Sequence, residues 1–428
     1  MEYLILLILS LSILGFGAIS GRVQSSPITP PMVFRLIGFL IGTAELGILP
    51  ETVRSEATMI IAELALVIIL FSDASRINFS LLRKEHRIPI RLLAIGLPLT
   101  IVLGSIVTAF LFPELGLWGA AVLAAILAPT DAALGQAVVS LKRVPVLIRQ
   151  AINVESGLND GIAVPVILIL LWIAGAQTEG ESTGYWIQFV SSQLILGPLT
   201  GIAVGWLGGS LLSICRDRRW MNDEFQRLAL VGLALAAYSI AHFIDGNGFI
   251  AAFTAGLVLG NKHHTIVSKL HKFAEAEGQL LSMLVFMLFG AAMIPVAFEH
   301  MGDVQGHWIL YAVLSLTVIR MVPVSISLSG LKLSIPTHIF LGWFGPRGLA
   351  STIFALIVLE QSGLPQAETI FSIAVFVILC SIILHGLTAW PGSMLYARMV
   401  GRTDAERMEH IKVNPMPTRF GEVRTQKH

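Results

Sequence analysis

The chain is short of charge. Of its 428 residues only 13% are Asp, Glu, Lys or Arg, against roughly 25% in an ordinary soluble domain. By contrast, 55% are hydrophobic, and the mean hydropathy is +0.80. A water-soluble fold has no interior large enough for that apolar surface. Cysteine is nearly absent: Cys215 and Cys380 alone cannot build a disulfide framework and show no metal-ligand spacing. No Gly-rich loop ends in Gly-Lys, which argues against ATP as the energy source. His-Glu-x-x-His is missing, as a zinc protease would not allow. Gly-x-Gly-Asp is missing too, and an intramembrane aspartic protease using Asp131 and Asp160 as a shared-proton dyad would need it. A formal charge of +1 offers no field for nucleic acid.

What the chain does have is long apolar runs. A bilayer span needs about 20 apolar residues. Such runs cover roughly 3–20, 31–49, 57–74, 90–112, 117–140, 149–174, 185–214, 225–243, 247–261, 279–298, 307–330, 334–359 and 367–396. The expectation is an all-α polytopic membrane protein with about 13 transmembrane helices. The first run has no basic flank and no clear cleavage site, so it reads as a span and not a signal peptide. Nearly all of the 28 Lys and Arg fall in alternate loops and in the tail, and the opposite loops hold only Arg54. That asymmetry puts the N-terminus outside and the C-terminus in the cytoplasm, as expected for a cell inner (plasma) membrane protein. The transporter domain is 1–398; residues 399–428, with Pro415 and Pro417, read as a short, partly disordered cytoplasmic tail.

Two runs are interrupted in mid-membrane. The fifth contains Ala128-Pro129-Thr130-Asp131, and the twelfth contains Phe344-Gly345-Pro346-Arg347-Gly348. Proline removes a helix hydrogen bond and restricts the residue before it. Irregular backbone at that depth is tolerated only inside protein or beside a water-filled cavity. The breaks lie an odd number of spans apart, so they run in opposite directions. Spans 1–6 and 8–13 therefore read as two inverted six-helix repeats, and paired interrupted spans point to a transporter's binding site.

Ionisable groups in a bilayer cost at least about 2.5–3.5 kcal/mol and read as functional. The sixth span begins Asn153-Val154-Glu155-Ser156-Gly157-Leu158-Asn159-Asp160. Helical spacing puts Ser156 with Asp160 on one face, and Glu155 with Asn159 on the adjacent one. Thr130 and Asp131 add a hydroxyl, a carboxylate and freed carbonyls at the fifth-span break, and Asp73 ends the third span. This oxygen inventory suits a small hard cation. His242, His300, His307, His338 and His385 have no convincing partner in the sequence.

PTDAALG, ESGLNDGIAVP and FGPRGLAS resemble the signature segments of the NhaP-type sodium/proton antiporters, a monovalent cation–proton antiporter group related to the eukaryotic sodium/proton exchangers. The likeness covers nearly the whole chain in length, span count and motif order. It implies a homodimer in membrane lipid, with crossed broken helices in spans 5 and 12 and a mobile core rocking against a dimerisation domain. It implies that Asp160 binds the transported cation and the proton, with Thr130, Ser156 and Asp73 as coordinating oxygens. Asp131 helps form the site and Asn159 stabilises the unwound crossing. An arginine pairs with Glu155: Arg320 in span 11 first, Arg347 at the span-12 break as the alternative.

Because Asn159 cannot titrate, the Asn159-Asp160 pair resembles the electroneutral branch of this group. The expected activity is exchange of one sodium or lithium ion for one proton, with no cofactor beyond the transported ions. Potassium/proton exchange is the alternative within the fold; a cation channel is a distant one.

Overall fold

The structure is a computed structural model and describes residues 2–23, 26, 28–42, 56–77, 87–131, 134, 138, 141–176, 183–263, 279–301, 306–361, 364–402 and 407–411. Among these there is no strand. The helices are α1 (Glu2–Val23), α2 (Pro30–Gly42), α3 (Glu56–Arg76), α4 (Arg87–Leu111), α5 (Gly116–Leu127), α6 (Val146–Ala176) and α7 (Thr183–Asp217). They continue as α8 (Asp223–Phe243), α9 (Gly248–Lys262), α10 (Gln279–Phe298), α11 (Gly306–Ser327), α12 (Ile335–Trp343), α13 (Leu349–Gln361) and α14 (Ala367–Val400). Each expected span has a helix, and the twelfth is the pair α12 and α13.

Seven described helices are long and apolar enough to cross a membrane, and several shorter apolar ones accompany them. The outer surface is apolar as well: Phe110 is 82% exposed and Leu14 is 69% exposed. Water would make such faces costly, whereas lipid tails would not. Inside, Phe34, Leu66, Leu70, Phe112, Phe286 and Phe371 are buried in one continuous core.

Two span boundaries have clear local causes. The division between α8 and α9 rests on Asn247, whose side chain accepts the Ile250 N–H at 2.9 Å and caps α9. Asn222 caps α8 in the same way through the Phe225 N–H. Three irregularities have no signal in the hydropathy pattern. Wide π turns interrupt α4 at Leu92–Gly96 and α10 at Phe289–Met293, and α11 breaks at Thr317 (φ −116°, ψ −90°). Close packing of α2 on α10 uses glycine: a Cβ on Gly38 or Gly42 would overlap the α10 backbone, and one on Gly290 would overlap the Arg35 carbonyl.

Part of the tail packs on the helices. Helix α14 runs on to Val400, and residues 407–411 fold back against the start of α12. The Met408 N–H donates to the Lys332 carbonyl at 3.0 Å, and Arg407 donates to the Leu333 carbonyl at 3.1 Å. Glu409 is buried and accepts from the Ser334 N–H at 3.1 Å and the Thr337 hydroxyl at 3.3 Å. It thus caps α12 from outside its own sequence, satisfying a helix-end donor. Pro415 and Pro417 lie outside the described residues. Glu409→Ala should lower stability by about 1 kcal/mol, typical of a lost cap. Glu409→Gln, whose amide oxygen still accepts, should lose less; thermal unfolding in detergent compares them.

Candidate ion-binding site

The site is built where the two broken spans meet. Helix α5 stops at Leu127, and Ala128–Asp131 continue without helical hydrogen bonding; most of the second half of span 5 lies outside the described residues. Helix α12 stops at Trp343, and Phe344–Gly348 are unwound before α13 begins. The Asp131 N–H donates to the Pro346 carbonyl at 2.8 Å. In return, the Asp131 carboxylate accepts the Leu349 N–H at 3.0 Å. One residue of span 5 therefore satisfies a group inside the span-12 break and one at its end, and places a negative charge at the N-terminus of α13.

Glycines permit this approach. A Cβ on Gly348 would overlap the Asp131 carboxylate, and one on Gly345 would lie 2.6 Å from Arg320 Nε and 3.0 Å from the Thr130 methyl. Gly348→Ala should accordingly cost about 1–3 kcal/mol by overpacking and displace Asp131. The expected readout is a lowered melting temperature.

Helix α6 supplies the next layer. Asn159 Nδ2 donates to the Thr130 hydroxyl oxygen at 2.7 Å, tying α6 to the span-5 break. One turn earlier, Glu155 Oε1 receives Arg320 Nη2 at 2.5 Å. Both side chains are almost wholly removed from solvent, where an ion must be paired. On the neighbouring face lie Ser156 and Asp160, 7% and 8% exposed. Asp73, half-buried near the end of α3, faces α6 at Gly157: a Cβ there would lie 3.9 Å from the Asp73 Cβ. One turn further along the same face of α6, the Phe253 ring of α9 presses against Gly161, next to Asp160, an approach that a Cβ at 161 would block.

Thr130 is thus bonded to Asn159, Glu155 to Arg320 and Asp131 to the span-12 break, and Ser156, Asp160 and Asp73 border them on α6 and α3. Arg347 sits at the same crossing but is engaged elsewhere. Its guanidinium donates to the Gly345 carbonyl at 2.5 Å and to the Ser315 carbonyl at 3.2 Å. The break at Thr317 leaves the last turn of that half-helix with carbonyls to satisfy, and Arg347 reaches one of them.

Arg35 is a site neighbour that the sequence pattern did not assign. It is buried in α2 between the Phe286 and Phe289 rings, each 4.5 Å from the guanidinium carbon. It donates to the Thr352 hydroxyl at 3.2 Å, and that hydroxyl donates to the Gly348 carbonyl at 2.8 Å. Its charge also attracts Asp131. A basic residue in mid-span was the available signal; its partners on α10 and α13 are too distant in sequence to be inferred.

Comparison with known proteins gives three kinds of likeness. The family model described as sodium/hydrogen exchanger, transmembrane, matches residues 6–391. The K(+)/H(+) antiporter NhaP of Alkalimonas amylolytica is 25% identical over 398 residues, covering 91% of this chain and 67% of that protein. The Na(+)/H(+) antiporter ApNhaP of Aphanothece halophytica is 29% identical over 409 residues, covering 90% of this chain and 73% of its own length. The chain spans only 63% of the K(+)/H(+) antiporter NhaP2 of Shewanella. Among solved structures, the sodium proton antiporter MjNhaP1 of Methanocaldococcus jannaschii superposes with a TM-score of 0.73 at 20% identity, over 94% of this chain and 100% of that one.

Proposed function

This chain belongs to the sodium/hydrogen exchanger family, among its NhaP-type members, and on that premise we propose that it exchanges one sodium or lithium ion for one proton across the membrane by alternating access. The observation that carries this reading is the Asn159-Asp160 pair. Asn159 has no proton to exchange and is committed to Thr130. Asp160 is the one carboxylate of the pair, buried beside the Ser156 hydroxyl on the same helical face.

The cycle follows from charge. Ionised Asp160 accepts the cation, with oxygens from Ser156, Thr130 and Asp73. Protonated Asp160 releases it. Both loaded forms are neutralised and can pass a low-dielectric barrier, whereas the empty carboxylate pays a large desolvation cost. The crossing therefore moves when loaded and stalls when empty, which couples the two fluxes. Asp131 helps form the site by holding the start of α13. Glu155 and Arg320 fix the turn that presents Asn159.

Cation identity is set by cavity size and ligand placement. Potassium exchange is the second reading, favoured by similar proteins named as K(+)/H(+) antiporters; the relative ApNhaP is named for sodium. The same reading includes a homodimer in the plasma membrane, and the basic loops support a cytoplasmic C-terminus.

Purified protein in liposomes tests the reading. Internal pH is recorded after pulses of sodium, lithium, potassium or choline, with membrane potential free or clamped. Sodium- or lithium-driven proton movement insensitive to potential is the expected result. Potassium preference would shift the assignment to the second reading, and a flux that follows the potential would overturn one-for-one exchange.

A further inference from the structure

Three side chains on one face of α14, Ser381, His385 and Thr388, grip the unwound stretch of span 12 from outside the ion site. His385 is 1% exposed. Its Nε2 lies 2.8 Å from the Trp343 carbonyl, at the last residue of α12. A carbonyl only accepts, so the ring donates here when it carries a proton on Nε2. Its Nδ1 lies 3.0 Å from the Ser381 hydroxyl and 2.9 Å from the Ser381 carbonyl. The same hydroxyl accepts the Arg347 N–H at 2.7 Å. One turn further along α14, the Thr388 hydroxyl accepts the Trp343 indole N–H at 2.9 Å. The Trp343 carbonyl also receives the Gly345 N–H at 2.8 Å.

Helix ends carry orphan carbonyls and N–H groups, and in mid-membrane no bulk water satisfies them. Here α14 serves both sides of the cut: a carbonyl at the end of α12 through His385 and an N–H just before α13 through Ser381. Between those two anchors lie Gly345, against Arg320 and Thr130, and Pro346, whose carbonyl receives the Asp131 N–H. Next to the second anchor is Gly348, against the Asp131 carboxylate. A displacement of the stretch therefore reaches Thr130 and Asp131 without altering either residue.

We infer that His385, acting with Ser381, is a positioning residue of the exchange: it braces both cut ends of span 12 against α14 and so sets where the crossing stands relative to the ion-binding carboxylate. This rests on the antiport reading above. It extends that reading to a residue that touches neither ion nor proton. His385 acts on cation binding through geometry, so its loss should appear in apparent affinity more than in maximal rate.

The test compares His385→Leu, His385→Gln and Ser381→Ala with wild type in liposomes, alongside hydrogen–deuterium exchange of backbone amides 344–351. His385→Leu and Ser381→Ala should each raise the apparent KM for the cation about tenfold, the effect of one lost buried hydrogen bond, with maximal rate within about threefold. Both should speed amide exchange across 344–351. His385→Gln, whose amide N–H can still reach the Trp343 carbonyl, should stay within about threefold of wild type in KM and keep the slow exchange. An unchanged KM and unchanged exchange in His385→Leu would overturn the inference. So would a folded His385→Gln as impaired as the leucine variant. If His385→Leu does not fold, Ser381→Ala against His385→Gln decides. If wild type moves no cation-coupled protons, the antiport reading has failed, and amide exchange still tells whether α14 braces the break.

Discussion

Asp160→Asn will yield a folded protein that moves no protons in response to sodium, lithium or potassium. Asparagine matches the shape of the carboxylic acid, and Asp160 lies on the helical face away from the Glu155–Arg320 and Asn159–Thr130 contacts. The fold should therefore survive, with a melting temperature close to that of wild type. The amide carries no charge to bind a cation and takes up no proton near neutral pH. Both halves of the exchange should then fall to the background of empty liposomes. Asp160→Glu keeps the charge on a longer arm and should retain measurable exchange with altered cation preference. Activity in the asparagine variant above about one tenth of wild type would place the exchanging carboxylate elsewhere. That threshold corresponds to only about 1.4 kcal/mol, far less than removal of the exchanging carboxylate should cost.

The second large effect is on stability. Arg320→Met removes the partner of Glu155 and strands a carboxylate in a site with almost no access to solvent. Losing one member of a buried pair costs about 3–5 kcal/mol, because the remaining ion is uncompensated. Glu155→Gln leaves the Arg320 guanidinium in the same position and should cost a similar amount. The double variant Glu155→Gln/Arg320→Met should be less destabilised than the sum of the single ones, since neither ion then remains. Thermal or detergent unfolding measures all three. Additive losses would show that the pair contributes little beyond its separate packing. Arg347→Met should behave differently. Its guanidinium meets backbone carbonyls and no carboxylate, so its removal leaves unmet acceptors but no stranded ion. The expected cost is nearer 1–3 kcal/mol.

That contrast shows where one-dimensional reasoning stops. Both arginines lie in the membrane, and either was long enough to reach Glu155 by sequence criteria alone. Arg320 is 165 residues from Glu155 along the chain, and only the tertiary arrangement that brings the two side chains together decides the pairing. Asp131 is a similar case. Its place in the Pro-Thr-Asp break marked it as part of the site, yet its partner proved to be the Leu349 N–H across the crossing. Arg35 and His385 were visible as polar residues within apolar runs, whereas Glu409 lay unmarked in a polar tail. Their roles depend on Thr352, Trp343 and Ser334 in other helices. No periodicity within a single helix reports such a contact.

By itself the sequence determined what depends on local composition and on period. Apolar length per span set the helices and the polytopic class. Proline and glycine beside ionisable residues marked both interrupted spans. The helical period put Ser156 with Asp160 and Glu155 with Asn159 before any neighbour was known. The tertiary structure decided which of these groups meet across helices: Asn159 with Thr130, Glu155 with Arg320, Asp131 with the head of α13, and Glu409 with the head of α12. The physical reason is that a hydrogen bond or ion pair is short-ranged in space and blind to distance along the chain. Within a low-dielectric core, each buried polar group must find whichever partner the packing brings within about 3 Å.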